Sequence, residues 1–127
     1  MNVLVFDIET VPDTKSAGSI WDVGGLSESD IKLFLSTSRL QETSGRTDFL
    51  KHHLHKIVSI SVAIRSKNTF KLWSLGEESS TEKELLKRFF SGIEKYEPTL
   101  VSWNGNGFDL PVIHYRALLH EVSCPIY

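Results

Sequence analysis

Cysteine is nearly absent from this chain: Cys124 is the single one among 127 residues. No internal disulfide framework can form, and the composition fits a reducing cytosol, so a cytoplasmic protein is expected. Long apolar runs are missing as well. None approaches the ~18 residues that span a bilayer. The N-terminus, MNVLVFDIET, has no basic leader and carries acids where a signal peptide stays apolar, so neither a targeting segment nor a membrane partner is expected. There is no excess of positive charge: 14 Lys and Arg face 16 Asp and Glu, for a net charge of -2. That disfavours a protein gripping nucleic acid by bulk charge alone. It leaves room for an enzyme that meets nucleic acid through metal ions. Internal repeats and low-complexity tracts are also lacking. What remains is 40% hydrophobic and 24% charged, too apolar for a disordered chain and long enough for one domain with one sizeable core.

The hydrophobic pattern then assigns elements. Residues 2–8, NVLVFDI, read as a short strand buried on both faces. Residues 57–64 form a second strand, with Ile57, Ser59, Ser61 and Ala63 on one face and the oilier Val58, Ile60, Val62 and Ile64 on the other. Residues 69–75 alternate in the same way, and the polar RSKN at 65–68 joins the two runs into a hairpin. Thr81-x-x-Glu84 is a capping box, and Leu85, Leu86, Phe89, Phe90 and Ile93 follow at helical spacing until Pro98. TLVSW at 99–103 reads as another short buried strand, NGNG at 104–107 as a turn. A helix is predicted over 109–121, with Leu110, Ile113, Ala117 and Leu118 on one side. Residues 10–50 differ in character. They are rich in Ser, Thr and Gly, with one weak helical patch from Ser27 to Leu35, and read as a long loop-rich insertion. The order is strand, insertion, hairpin, helix, strand, helix, an α/β layout on a mixed sheet.

Chemistry concentrates in a few residues. Residues two apart on a strand share a face, so Asp7 and Glu9 set two carboxylates side by side at the carboxyl end of a central strand. Flanked by Phe6, Ile8 and Val11, such a pair repels and pays for desolvation, and a hard divalent cation such as Mg²⁺ or Mn²⁺ removes both costs. The plain alternative is that the strand has already ended and both acids are solvated. Asp109 follows the turn and starts a helix. It is either a simple N-cap or, if its strand lies beside the first, a third carboxylate converging on the pair. Asn104 and Phe108 are either a turn residue and a core plug, or an amide and a ring that contact a nucleotide. His52, His53 and His55, beside Lys51 and Lys56, lack the further ligands zinc needs and read as a solvated loop that could meet a phosphate backbone. Trp21 is a stacking or lid residue, or part of a small local core.

Taken together, Phe6-Asp7-Ile8-Glu9-Thr10 and Asn104-Gly105-Asn106-Gly107-Phe108-Asp109 resemble the first and second motifs of the DEDD, DnaQ-like superfamily of 3′–5′ exonucleases. The chain is most similar to the proofreading exonuclease domain of family-B DNA polymerases and its stand-alone bacterial relatives. The element order agrees, and HKIVSISVAI at 55–64 resembles the family's second strand. The resemblance implies a ribonuclease H-like fold and hydrolysis at the 3′ end of single-stranded DNA or RNA by two Mg²⁺ or Mn²⁺ ions. Asp7 would bridge both ions, Glu9 would hold the one that activates water, and Asp109 would support the other, partly through water. Asn104, Phe108 and Thr10 would position the terminal nucleotides.

The family's third motif, an aspartate with a tyrosine or histidine four or five residues before it, has no counterpart here, since no Asp follows Asp109. The expectation is therefore the N-terminal portion of an exonuclease domain, over residues 1–127, that binds metal weakly and cuts little by itself. Apolar surface near Leu110, Ile113 and Leu118 is expected to stay uncovered and to promote homo-oligomers. A dinucleotide-binding loop is set aside because Leu110 stands where G-x-G-x-x-G needs its third glycine. The remaining alternative is a nuclease-like module that binds nucleic acid or a protein without cutting.

Overall fold

The computed structural model describes residues 1–125; the chain end at Tyr127, expected straight after a helix, lies outside the described residues. The elements run β1 (Asn2–Pro12), α1 (Thr14–Ile20), α2 (Glu28–Glu42), β2 (His55–Ser66), β3 (Thr69–Ser74), α3 (Glu82–Tyr96), β4 (Thr99–Val101) and α4 (Leu110–Leu119). They form two compact units, one of Met1–Thr10 together with the chain from Ile57 onward, the other of Val11–Lys56.

The first unit holds a mixed sheet in the order β3-β2-β1-β4. β4 pairs with β1 in parallel, Val3 opposite Thr99 and Val5 opposite Val101. β2 and β3 form the expected antiparallel hairpin, from Ser61 opposite Ser74 to Ser66 opposite Thr69. With its flanking helices this is the α/β, ribonuclease H-like layout that the element order predicts.

α3 forms where the capping box places it. The Thr81 hydroxyl accepts the Glu84 N–H at 3.2 Å, and the Glu84 carboxylate accepts the Thr81 N–H at 3.3 Å. The helix ends at Glu97, whose left-handed φ of 42° turns the chain into Pro98. Leu85, Leu86, Phe89, Phe90 and Ile93 then join Leu4, Phe6 and Ile8 of β1, Ile57, Ile60 and Val62 of β2 and Val112, Ile113 and Ala117 of α4 in one core. Phe6 and Phe89 meet at 5.1 Å between ring centroids.

That core lies on one face of the sheet, which corrects the expectation that β1 is buried on both. Leu4, Phe6 and Ile8 are buried, whereas Val5 is 45% exposed and Asp7 and Glu9 are exposed. Both α3 and α4 contribute to the same core, leaving the opposite face open. β4 is shorter than TLVSW and is an edge strand rather than a buried one, with Val101 exposed. In β2 the burial alternation slips by one residue: Ile57 joins the core while Val58 is 49% exposed, and Ile60, Val62 and Ile64 resume the inward phase. A bulge produces such a slip.

On α4 the buried stripe is Val112, Ile113, Arg116 and Ala117, and Leu118 is exposed instead of inward. The reason is ionic. Glu82, in the first turn of α3, is 3% exposed at its side chain and pairs with the equally buried Arg116 at 2.7 Å. The Arg116 Nε donates to both Glu82 oxygens at 3.0 Å, His120 Nε2 lies 2.6 Å from Oε1, and the Ile57 N–H donates to Oε2. The helix is rotated so that its guanidinium reaches this carboxylate. Ile113, expected near the uncovered surface, is fully buried as a result.

The second unit is more helical than its composition suggests. The patch expected from Ser27 to Leu35 extends to Glu42 as α2, and α1 precedes it. Asp13 caps α1 by accepting the Ser16 N–H at 3.0 Å, and Ser27 caps α2 by accepting the Asp30 N–H at 3.1 Å. A small core of Ala17, Val23, Leu35 and Leu54 holds the unit, and Trp21 packs on it with its ring 5.7 Å from Phe34, which favours the local-core reading of that tryptophan. His55 is buried, its Nε2 3.1 Å from the Leu50 carbonyl, so it belongs to the fold and not to a solvated basic loop. Among the described residues no helix is long and apolar enough to cross a membrane.

Candidate functional site

β1 continues to Pro12, so Asp7 and Glu9 lie inside the strand and not past its end. The alternation that sends Phe6 and Ile8 into the core sends the two carboxylates to the open face, where both are exposed. The apolar surroundings expected for them are therefore on the other side of the sheet. Their mutual repulsion remains. The Glu9 carboxyl is held above its usual range, first by a side-chain hydrogen bond with Asp7, then by the Asp7 charge, by desolvation and by the charge of Asp109. A carboxyl group beside other carboxylates is harder to ionise.

Asp109 reaches the same neighbourhood because β4 lies beside β1 and the chain leaving β4 turns straight into α4. The turn is a wide, π-type one over Gly105–Asp109, in which the N–H groups of Phe108 and Asp109 both donate to the Asn104 carbonyl, at 2.9 and 3.4 Å. Asp109 is 6% exposed and makes no capping hydrogen bond to α4, which removes the simple N-cap reading. Its Oδ2 instead accepts the Ser102 hydroxyl at 2.9 Å. Ser102 was not singled out by its sequence context, since a serine after a strand carries no distinctive signal. Gly107 is a second residue that the motif alone does not explain. A Cβ there would lie 2.5 Å from the Asn104 Oδ1, so only glycine lets the Asn104 amide fold over the turn.

The other expected contact residues are placed unevenly. Asn104 is exposed, Thr10 is half-buried next to Glu9, and Phe108 is half-buried and packs against the main core, so at least one face of its ring serves the fold. Cys124 is no activated nucleophile: desolvation pushes its thiol pKa up rather than down.

The donor set of Asp7, Glu9 and Asp109 is all carboxylate oxygen, which fits a hard divalent cation such as Mg²⁺ or Mn²⁺. The raised Glu9 carboxyl, beside Asp7 and within the field of Asp109, marks where a positive charge would offset repulsion. The three acids are not gathered into a closed ligand cluster. Among the described residues, no three His, Cys, Asp or Glu side chains stand close enough together to hold a metal ion.

The chain is similar to two DNA polymerases over a short stretch. DNA polymerase 1 of Sulfurisphaera ohwakuensis is 48% identical over 42 residues, and DNA polymerase 1 of Saccharolobus solfataricus is 50% identical over 42 residues. Each match covers 33% of this chain and 5% of the polymerase, so the chain spans a small part of those relatives. Residues 47–127 match a family described as a predicted 3′–5′ exonuclease related to the exonuclease domain of PolB; the match takes in Asn104, Phe108 and Asp109 and begins after Asp7 and Glu9. On that match over most of its length, the chain belongs to this family of PolB-related predicted 3′–5′ exonucleases.

Proposed function

We propose that the chain carries the first part of a metal-dependent 3′–5′ exonuclease site acting on single-stranded nucleic acid ends, with Asp7, Glu9 and Asp109 as metal-holding acids. The observation that carries the proposal is the charge coupling on the open face: Glu9 feels Asp7 beside it and Asp109 from the neighbouring turn. Two exposed acids with a third, buried one close enough to raise Glu9 repel one another unless a cation offsets them. When bound, Mg²⁺ or Mn²⁺ would neutralise the scissile phosphate and lower the pKa of water near it.

The remaining work falls to the chain's own groups. Asp7 and Glu9 supply the exposed oxygens. Ser102 holds the Asp109 carboxylate in one orientation by its 2.9 Å hydrogen bond. Asn104 and Thr10, polar and beside the acids in sequence, orient the terminal nucleotide, and the half-exposed ring of Phe108 offers a surface to its base. Cation charge would supply much of the affinity for phosphate, which fits a chain with net charge -2.

A second reading, a nuclease-like module that binds without cutting, is favoured by one observation: the three acids do not close into a ligand cluster. Nucleotide release from a 3′-labelled single strand with Mn²⁺ separates the two. The enzyme reading expects release that falls at least about a hundredfold in Asp7→Ala, the scale on which metal-site changes act. Absence of both Mn²⁺ binding and release, with Asp7→Ala indistinguishable from the unaltered protein, favours the binding module.

A further inference from the structure

The β2–β3 hairpin has a composition unlike the rest of the chain. From Ile57 to Gly76 there is no Asp or Glu, while Arg65, Lys67 and Lys71 fall within seven positions. All three cations are exposed, and none forms an ion pair among the described residues. In a protein with more acids than bases, this is a local concentration of unpaired positive charge.

The same hairpin exposes large apolar side chains. Every residue of β3 is exposed, with Phe70 at 66% and Leu72 at 71%. The register settles which side they face. Phe70 lies opposite Arg65 and Leu72 opposite Ala63, while Lys71 and Trp73 lie opposite the inward Ile64 and Val62. Residues directly opposite in an antiparallel pair share a face. Phe70, Leu72 and Arg65 thus stand on the open face of the sheet, the face that carries Asp7 and Glu9 on β1. Between them runs β2, whose residues paired with β3 on this side are Ser61, Ala63 and Arg65. β3 and β1 flank β2 and are two strand spacings apart, roughly 10 Å.

An exposed ring and aliphatic side chain beside free cations, on a sheet face leading to an acidic site, match the needs of a single strand: stacking for its bases and positive charge for its backbone. Among the described residues Phe70 and Leu72 pack on no core, and they weaken the edge strand that Lys71 protects. We propose that Phe70, Leu72, Arg65 and Lys67 form a platform that holds single-stranded nucleic acid upstream of the end presented to Asp7 and Glu9. The inference rests on the nuclease reading for its direction along the sheet, but its binding step needs no metal.

Anisotropy of a fluorescein-labelled 15-nucleotide oligo-dT in EDTA tests it without cleavage. Phe70→Ala is expected to weaken binding by about five- to a hundredfold, the range for one stacked base. The double variant Arg65→Glu, Lys67→Glu is expected to weaken it further and to flatten its salt dependence. Lys87→Glu, on the exposed side of α3, leaves it unchanged, and all variants keep their melting temperature because none touches the core. Asp7→Asn is expected to bind at least as tightly as the unaltered protein while releasing no nucleotide when Mn²⁺ is supplied. Equal binding by the hairpin variants overturns the platform, whatever Asp7 does. So does an unaltered protein that binds no oligonucleotide at low salt, or one that sediments as a dimer that Phe70→Ala dissociates, since a second copy then occupies the face. Binding lost with Phe70 in a protein that neither binds Mn²⁺ nor releases nucleotide upholds the platform and removes the nuclease reading.

Discussion

Leu4, Phe6 and Ile8 alternate along β1 with Val5, Asp7 and Glu9, and the two sets meet opposite conditions. The first three are at most 6% exposed beneath α3 and α4; on the other side Val5 is 45% exposed and both acids reach water. The neighbouring strands repeat the division, with Ile60, Val62 and Leu100 on the packed side and Ser61, Ala63, Val101 and Phe70 on the open one. One strand therefore serves stability with one set of side chains and presents chemistry with the other. A strand wrapped on both faces could not offer two adjacent carboxylates to a ligand without first burying them, at a cost of several kcal/mol per charge. The open face keeps that repulsion at the level of exposed groups, where a cation can relieve it.

The contrast can be broken most severely at the ion pair that anchors α4 to the packed side. Glu82→Ala takes from the buried Arg116 its carboxylate at 2.7 Å and from the Ile57 N–H its acceptor. A loss of about 3–5 kcal/mol in urea unfolding is expected; a loss below about 1 kcal/mol means that the pair is not the anchor. Next in size is a matched comparison across the sheet. Leu86→Ala, at a fully buried position, should cost about 2–5 kcal/mol. Val5→Ala on the open face should cost less than about 1 kcal/mol. Similar losses at both positions would mean that the second face is packed in solution.

The smallest effect has the opposite sign. Glu9 carries a raised pKa in the folded chain, so the fold binds this proton more tightly than the unfolded chain does. Its contribution to stability is fully present below the usual value of 4.5 and is lost as pH rises through the raised one. Glu9→Gln should therefore melt slightly higher than the unaltered protein at pH 7, and the gain should vanish as pH falls below 4.5. A gain that is independent of pH would assign it to something other than repulsion from Asp7.

How much of this was legible depends on the range of the interactions involved. α3 was readable because its signals are local: a capping box, a 3.6-residue stripe and a terminating Pro98. The hairpin was readable from alternation and a polar turn. Asp7, Glu9 and Asp109 stood out by their resemblance to family motifs, and in the fold both neighbours raise the Glu9 carboxyl. What escaped was set by contacts distant in sequence or by the absence of a cover. The 34-residue separation of Glu82 and Arg116 turned α4 away from the expected Leu118 face. An apolar run such as VLVF cannot report that only one of its faces will be packed. α1 has almost no apolar stripe, and only Ala17 is buried, so its signal lay in the Asp13 cap rather than in periodicity. Ser102 and Gly107 matter through a single contact each, with Asp109 and Asn104, and have no pattern of their own.

Calorimetric titration with Mn²⁺ near pH 7 tests the central claim, that the two exposed acids of β1 and the buried Asp109 form one cation site. The unaltered protein should bind Mn²⁺, with Asp7→Asn and Glu9→Gln weakening binding at least about tenfold and Asp109→Asn weakening it less. Absence of binding, or equal binding by all three variants, would contradict it.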